Sequence, residues 1–140
     1  VLVKIGGDLQ GVDHKGRTPL AWAARHGHTA TIEELMKYGA DVESGDCAGL
    51  TPLLLAAREG HADTLRLLIG KGARLDLPNA QDGTTALMMA AKNGHREAMR
   101  TLMGFGADMH ATNHAGETAL ALAAAHGHHD CAMELREAIQ

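Results

Sequence analysis

Thr51-Pro52-Leu53-Leu54-Leu55-Ala56-Ala57-Arg58-Glu59-Gly60-His61 is the stretch on which the fold turns, because its skeleton occurs four times. Thr18-Pro19-Leu20 precedes it, and Thr85-Ala86-Leu87 and Thr118-Ala119-Leu120 follow, with the threonines 33, 34 and 33 residues apart. Each is followed by an alanine pair: Ala23-Ala24, Ala56-Ala57, Ala90-Ala91 and Ala123-Ala124. Next comes Gly-His, at Gly27-His28, Gly60-His61, Gly94-His95 and Gly127-His128. Three units then close on Gly-Ala, at Gly39-Ala40, Gly72-Ala73 and Gly106-Ala107. A fixed period of this length is the signature of a stacked repeat architecture.

Each unit reads as two short antiparallel helices. The threonine hydroxyl satisfies a free N–H of the first turn, and Pro19 and Pro52 sit just inside, where a missing N–H costs nothing. Gly27 and its counterparts stop the first helix by taking the left-handed conformation. The second helix carries Ile32, Leu35 and Met36 at helical spacing, echoed by Leu65, Leu68 and Ile69 and by Met99, Leu102 and Met103. One such unit cannot bury its apolar stripe, whereas stacked neighbours share a continuous core.

The pattern Asp13-x-x-Gly16-x-Thr18-Pro19-Leu20, Ala23-Ala24, Gly27-His28, Gly39-Ala40-Asp41-Val42 and its echoes resembles the ankyrin repeat, over essentially the whole chain. The resemblance implies an all-α solenoid of stacked antiparallel helix pairs with projecting β-hairpin-like fingers. It also implies a concave binding face built from the fingers and first helices. The expected domain is 1–140, with 1–12 as the remnant of a preceding repeat. The repeats fall at about 13–45, 46–78, 79–112 and 113–140. The last reads as a C-terminal cap with a polar outer face, since Arg136 aligns with Met36, Ile69 and Met103. The histidine that commonly follows Thr-Pro-Leu in the family is replaced by Ala21, Leu54, Met88 and Ala121. The asparagine that often follows Asp-Val is Glu43, Asp76 or His110 here, which puts hydroxylation at that family position in doubt.

Composition agrees with close helix packing. Hydrophobic residues make up 45% of the chain, yet there is one Trp, one Tyr and one Phe, so alanine and aliphatic side chains must fill the interior. Thirteen Lys and Arg against seventeen Asp and Glu give a formal charge of -4, without the basic excess that phosphate contacts require, so nucleic acid is an unsuitable partner. With no basic run and no long apolar stretch, the expectation is no membrane partner either. Cys47 and Cys131 lack ligand-type spacing, which points to reduced thiols and an intracellular protein, cytoplasmic or nuclear. From the start at Val1 rather than at a Met, the chain is expected to be a piece of a longer one.

Catalytic signals are weak. Ser44 is the sole serine and lies outside any nucleophile elbow, and no phosphate-cradling glycine loop occurs. The expectation is no enzyme, no cofactor and no small-molecule substrate. His126-Gly127-His128-His129-Asp130-Cys131 is dense in metal-ligating types, but His28, His61, His95 and His128 recur once per repeat as scaffold positions. Successive residues on a helix also diverge rather than converge on a tetrahedral ion. Histidine-based metal binding remains the remote alternative.

The first helices suggest a binding face. At about 100° per residue, Leu20, Ala23, Ala24 and Gly27 share a buried side, leaving Trp22, Arg25 and His26 outward. The equivalents of Trp22 are Leu55, Met89 and Leu122, an apolar stripe across four units, flanked by Arg25, Arg58 and Lys92. The competing reading packs the stripe against neighbouring helices and leaves the cations solvated. Fingertips would add His14, Lys15 and Arg17 at the first finger and Leu50 at the second. Together these residues describe a module for a peptide segment or folded protein partner. The alternative is a structural spacer or an intramolecular regulatory domain of a larger protein.

Overall fold

A computed structural model describes residues 19–42, 50–79 and 81–139. Eight helices are seen among them: α1 (Pro19–His26), α2 (Thr29–Lys37), α3 (Pro52–Glu59), α4 (Ala62–Gly70), α5 (Ala86–Lys92), α6 (Arg96–Gly104), α7 (Ala119–Ala125) and α8 (His129–Ile139). They form two layers. The first helices α1, α3, α5 and α7 stack side by side in one, and α2, α4, α6 and α8 line up behind them in the other.

The helix ends follow the repeated residues. Thr51, Thr85 and Thr118 accept hydrogen bonds at Oγ1 from the N–H of Leu54, Met88 and Ala121, at 3.3, 3.3 and 3.2 Å. A threonine cap of this kind contributes about 1 kcal/mol. At the other end the glycine takes a positive φ, +80° at Gly60, and the following histidine N–H reaches back to the first alanine of the pair, as His61 does to Ala56 at 2.9 Å. The same closure recurs where His28 bonds Ala23, His95 bonds Ala90 and His128 bonds Ala123. This two-bond ending satisfies carbonyls that would otherwise be orphaned inside the stack.

The core runs the length of the array. First helices contribute Leu20, Leu53, Leu54, Leu87 and Met88, and second helices contribute Ile32, Leu35, Leu65, Leu68, Met99, Leu102 and Leu135, all buried. The alanine pairs are fully buried up to Ala91, so no side chain larger than a methyl stands between adjacent first helices there. The residues replacing the family histidine, Ala21, Leu54 and Met88, lie in this core as well.

One expectation is corrected. Among the described residues there is no β-strand, so the β-hairpin-like fingers are not present. A hairpin needs reciprocal backbone bonds between facing residues. The N–H of Asn79 does bond the Thr84 carbonyl at 2.8 Å, but the Thr84 N–H is taken by Asp82 Oδ1 at 3.0 Å, and the Asn79 carbonyl by Gly83. In the next connection Asn113 N–H bonds the Glu117 carbonyl, while the returning Glu117 N–H is captured by Asn113 Oδ1 at 2.9 Å. Short polar side chains thus divert the ladder into closed turns. On the last unit, Arg136, Glu137 and Met133 are exposed on α8 and Ala121, Ala124 and Ala125 on α7.

Candidate partner-binding face

The first-helix layer places the residues expected to meet a partner, and it divides them. Trp22 keeps 39% of its surface exposed, whereas Leu55, Met89 and Leu122 are 1%, 8% and 5% exposed. The apolar stripe expected across four units therefore contracts to its first member. A single buried side was the wrong premise: each interior first helix is flanked by a neighbour on both sides and backed by its own second helix, so α3 is buried from Pro52 through Ala57. Leu50, expected at an exposed tip, is 6% exposed and belongs to the core. His14, Lys15 and Arg17 lie outside the described residues.

Around Trp22 the chain builds an aromatic cluster. The His26 ring lies 4.6 Å from the indole at 48°, the His28 ring 5.3 Å away at 28°, and the two imidazoles are 6.0 Å apart. Trp22 and His26 meet because they are four residues apart on one helix. His28 joins them because the turn at Gly27, φ +70°, folds the chain back over the helix end. Only that turn reveals His28 as a member of the cluster. All three residues of the cluster are exposed.

The cations are held differently along the row. The Arg25 and Arg58 carbonyls accept from the Nε2 of His61 and His95 of the following unit, each at 2.9 Å. Their backbones are thereby fixed to the next repeat, and the histidine at each junction is a structural strut. The Arg58 guanidinium donates to Glu59 at 3.2 Å. Lys92 is exposed and stands near Asp82. The Asp82 carboxyl is held below its ordinary value, first by the hydrogen bond from the Thr84 side chain, then by that from the Thr84 N–H, and then by Lys92 and His114, while partial burial opposes. The same Asp82 carbonyl accepts from the His114 N–H at 2.8 Å, tying the third turn to the fourth.

The histidine-rich segment does not assemble a site of its own. Among the described residues no three of His, Cys, Asp and Glu converge as metal ligands. His126 Nδ1 lies 2.9 Å from the Leu122 carbonyl of its own helix. Cys131 is a free thiol, buried, and its burial pushes its pKa up, with Glu134 adding to the effect, so the nucleophilic thiolate is disfavoured. No helix among the described residues is long and apolar enough to cross a membrane.

Two exposed aromatics escape a reading confined to the first helices: Tyr38 and Phe105, 60% and 48% exposed, at the ends of α2 and α6. Both precede the Gly-Ala that closes a unit, so the repeat alignment itself placed them at equivalent positions.

A family model described as ankyrin repeats (3 copies) matches residues 1–79 and again residues 73–139. No curated protein was found to match the chain.

Proposed function

The chain belongs to the ankyrin-repeat family, whose members are non-catalytic scaffolds that mediate protein–protein interactions, and from that premise we propose that its partner docks on the first-helix face beside Trp22. The observation that carries this reading is the exposed indole with His26 and His28 against it. An amphipathic ring standing out from a rigid helix is the commonest kind of binding anchor. Arg25, Arg58 and Lys92 extend the face along the stack and suit acidic residues of the partner. His14, Lys15 and Arg17 extend it in sequence on the N-terminal side. Leu50, Leu55 and Met89, being buried, support the face from beneath. The units are read as 13–45, 46–78, 79–112 and 113–140 within one array, a division supported by four described helix pairs. The buried free thiol of Cys131 supports a reducing, intracellular setting.

Trp22→Ala tests the face without touching the core. Capture of partners from lysate by the wild-type chain should be lost in Trp22→Ala and in Arg25→Glu, with helical circular dichroism unchanged. Retention of the same partners by both variants would remove the site from this face. A partner found to be another part of the same polypeptide would instead favour the regulatory reading.

A further inference from the structure

The chain has one Trp, one Tyr and one Phe, and all three stand exposed. A single exposed apolar residue is ordinary, but two of these rings share one structural position. Tyr38, Lys71 and Phe105 are the residues that end α2, α4 and α6, with φ of -95°, -94° and -89° and ψ of 11°, 6° and 0°. Equivalent backbones on packed, successive second helices set the three residues at equivalent positions in a row along the stack. Adjacent packed helices lie roughly 8–10 Å apart, so Tyr38 and Phe105 stand about 20 Å apart along the row, with Lys71 at the position between them. Among the described residues Lys71 makes no ion pair. The neighbouring cations are compensated: Arg66 by Asp63 and Glu97, and Arg100 by Glu134.

Beside Phe105 there is also a hollow of about 300 Å³, lined by Arg66, Glu97, Arg100, Thr101, Gly104 and Phe105. Gly104 opens it: a Cβ at that position would meet nothing within 4 Å. An aromatic wall and a side-chain-sized recess suit one apolar anchor. The uncompensated lysine one unit away suits a carboxylate, and Tyr38 suits a second apolar contact beyond it.

We infer that this row is a second interaction surface, separate from the Trp22 face, for an extended segment of a partner protein carrying two apolar side chains with an acidic residue between them. An extended chain rises about 3.3 Å per residue, so the two anchors fall roughly six residues apart. The segment seats its first anchor in the Phe105 hollow, passes its carboxylate over Lys71 and rests its second anchor on Tyr38.

The test uses a phage-displayed library of random dodecapeptides, selected on the intact chain. The pool should become enriched in acidic peptides with two apolar residues about six positions apart. Gly104→Gln fills the hollow while replacing a poor helix former by a better one, and it should reduce binding of that pool at least tenfold. Phe105→Ala should do the same, Lys71→Glu should abolish the acidic preference, and Trp22→Ala should leave the pool's binding unchanged. Failure to enrich any pool, a pool without acidic bias, undiminished binding to Gly104→Gln and Phe105→Ala, or dependence on Trp22 would each overturn the proposal. Loss of lysate partners in Trp22→Ala is a separate readout, so either surface can fail alone.

Discussion

The imidazole of His61 packs against Gly27 of the preceding unit so closely that a Cβ at Gly27 would stand 2.8 Å from its Nδ1. From that position Nε2 donates to the Arg25 carbonyl at 2.9 Å. His95 repeats both contacts, with Gly60 and the Arg58 carbonyl, and His128 lies against Gly94 in the same way. The glycine thus serves two purposes at once: its positive φ ends the helix, and its missing side chain makes room for the histidine of the next unit.

Gly60→Ala should therefore be costly and Gly104→Ala should not. At Gly60 the new methyl meets the His95 ring at 2.6 Å with φ at +80°, whereas at Gly104 it meets nothing. A non-glycine residue in a left-handed conformation costs on the order of 1–3 kcal/mol before the clash is counted. Gly104→Ala should be neutral or stabilising by up to about 1 kcal/mol. Urea unfolding of the two variants should show midpoints moving in opposite directions, or Gly104→Ala unmoved.

His95→Ala should destabilise the array by about 1–3 kcal/mol, the range for leaving a half-buried carbonyl without its donor. Partner binding at Trp22, two units away, should be retained. Thermal unfolding measures the first and pull-down the second.

Acid should selectively remove the tie between the last two second helices. Glu134 on α8 accepts from Arg100 Nε at 2.9 Å to both carboxylate oxygens, and from Arg96 as well. Arg100 first, and Arg96 with it, hold the Glu134 carboxyl below its ordinary value despite partial burial. A depressed carboxyl contributes stability above its unfolded pKa, about 4.3 for glutamate, and loses it as pH falls through the folded value. Wild type should therefore exceed Glu134→Gln in urea midpoint at pH 7, and the two should converge at about pH 3 or below. Added salt should narrow the gap at pH 7, since the pair is partly exposed.

Cys131 should resist alkylation in the folded chain. It is 2% exposed, and burial disfavours its thiolate. Site-resolved mass spectrometry after iodoacetamide at pH 7.5 should find the Cys131 peptide unlabelled without denaturant and labelled in urea.

Much of this structure was readable in the residues. The threonine caps, the glycine stops and the alternation of first and second helices emerged where the repeat put them, since each depends on bonds spanning five residues or fewer. His126 and Trp22 were placed outside the core by helical phase, and they are. The same phase did not show that Leu55 and Met89 are buried, because a periodicity read on one helix takes no account of a neighbour on each flank; Leu122, on the end helix α7, is covered without a second flanking first helix. The phase also gave no warning that Asp82 and Asn113 would intercept the bonds of the expected hairpins.

The repeat by itself determined the number and order of the helices, their ends, and the family to which the chain belongs, because those features are encoded in local contacts repeated at every 33 or 34 residues. Only the tertiary structure decided which residues of the apolar stripe reach solvent, which carbonyl each junction histidine serves, and that Tyr38 and Phe105 lie outside the core. Those outcomes rest on contacts between units one full repeat apart, whose distances no stretch of the chain records.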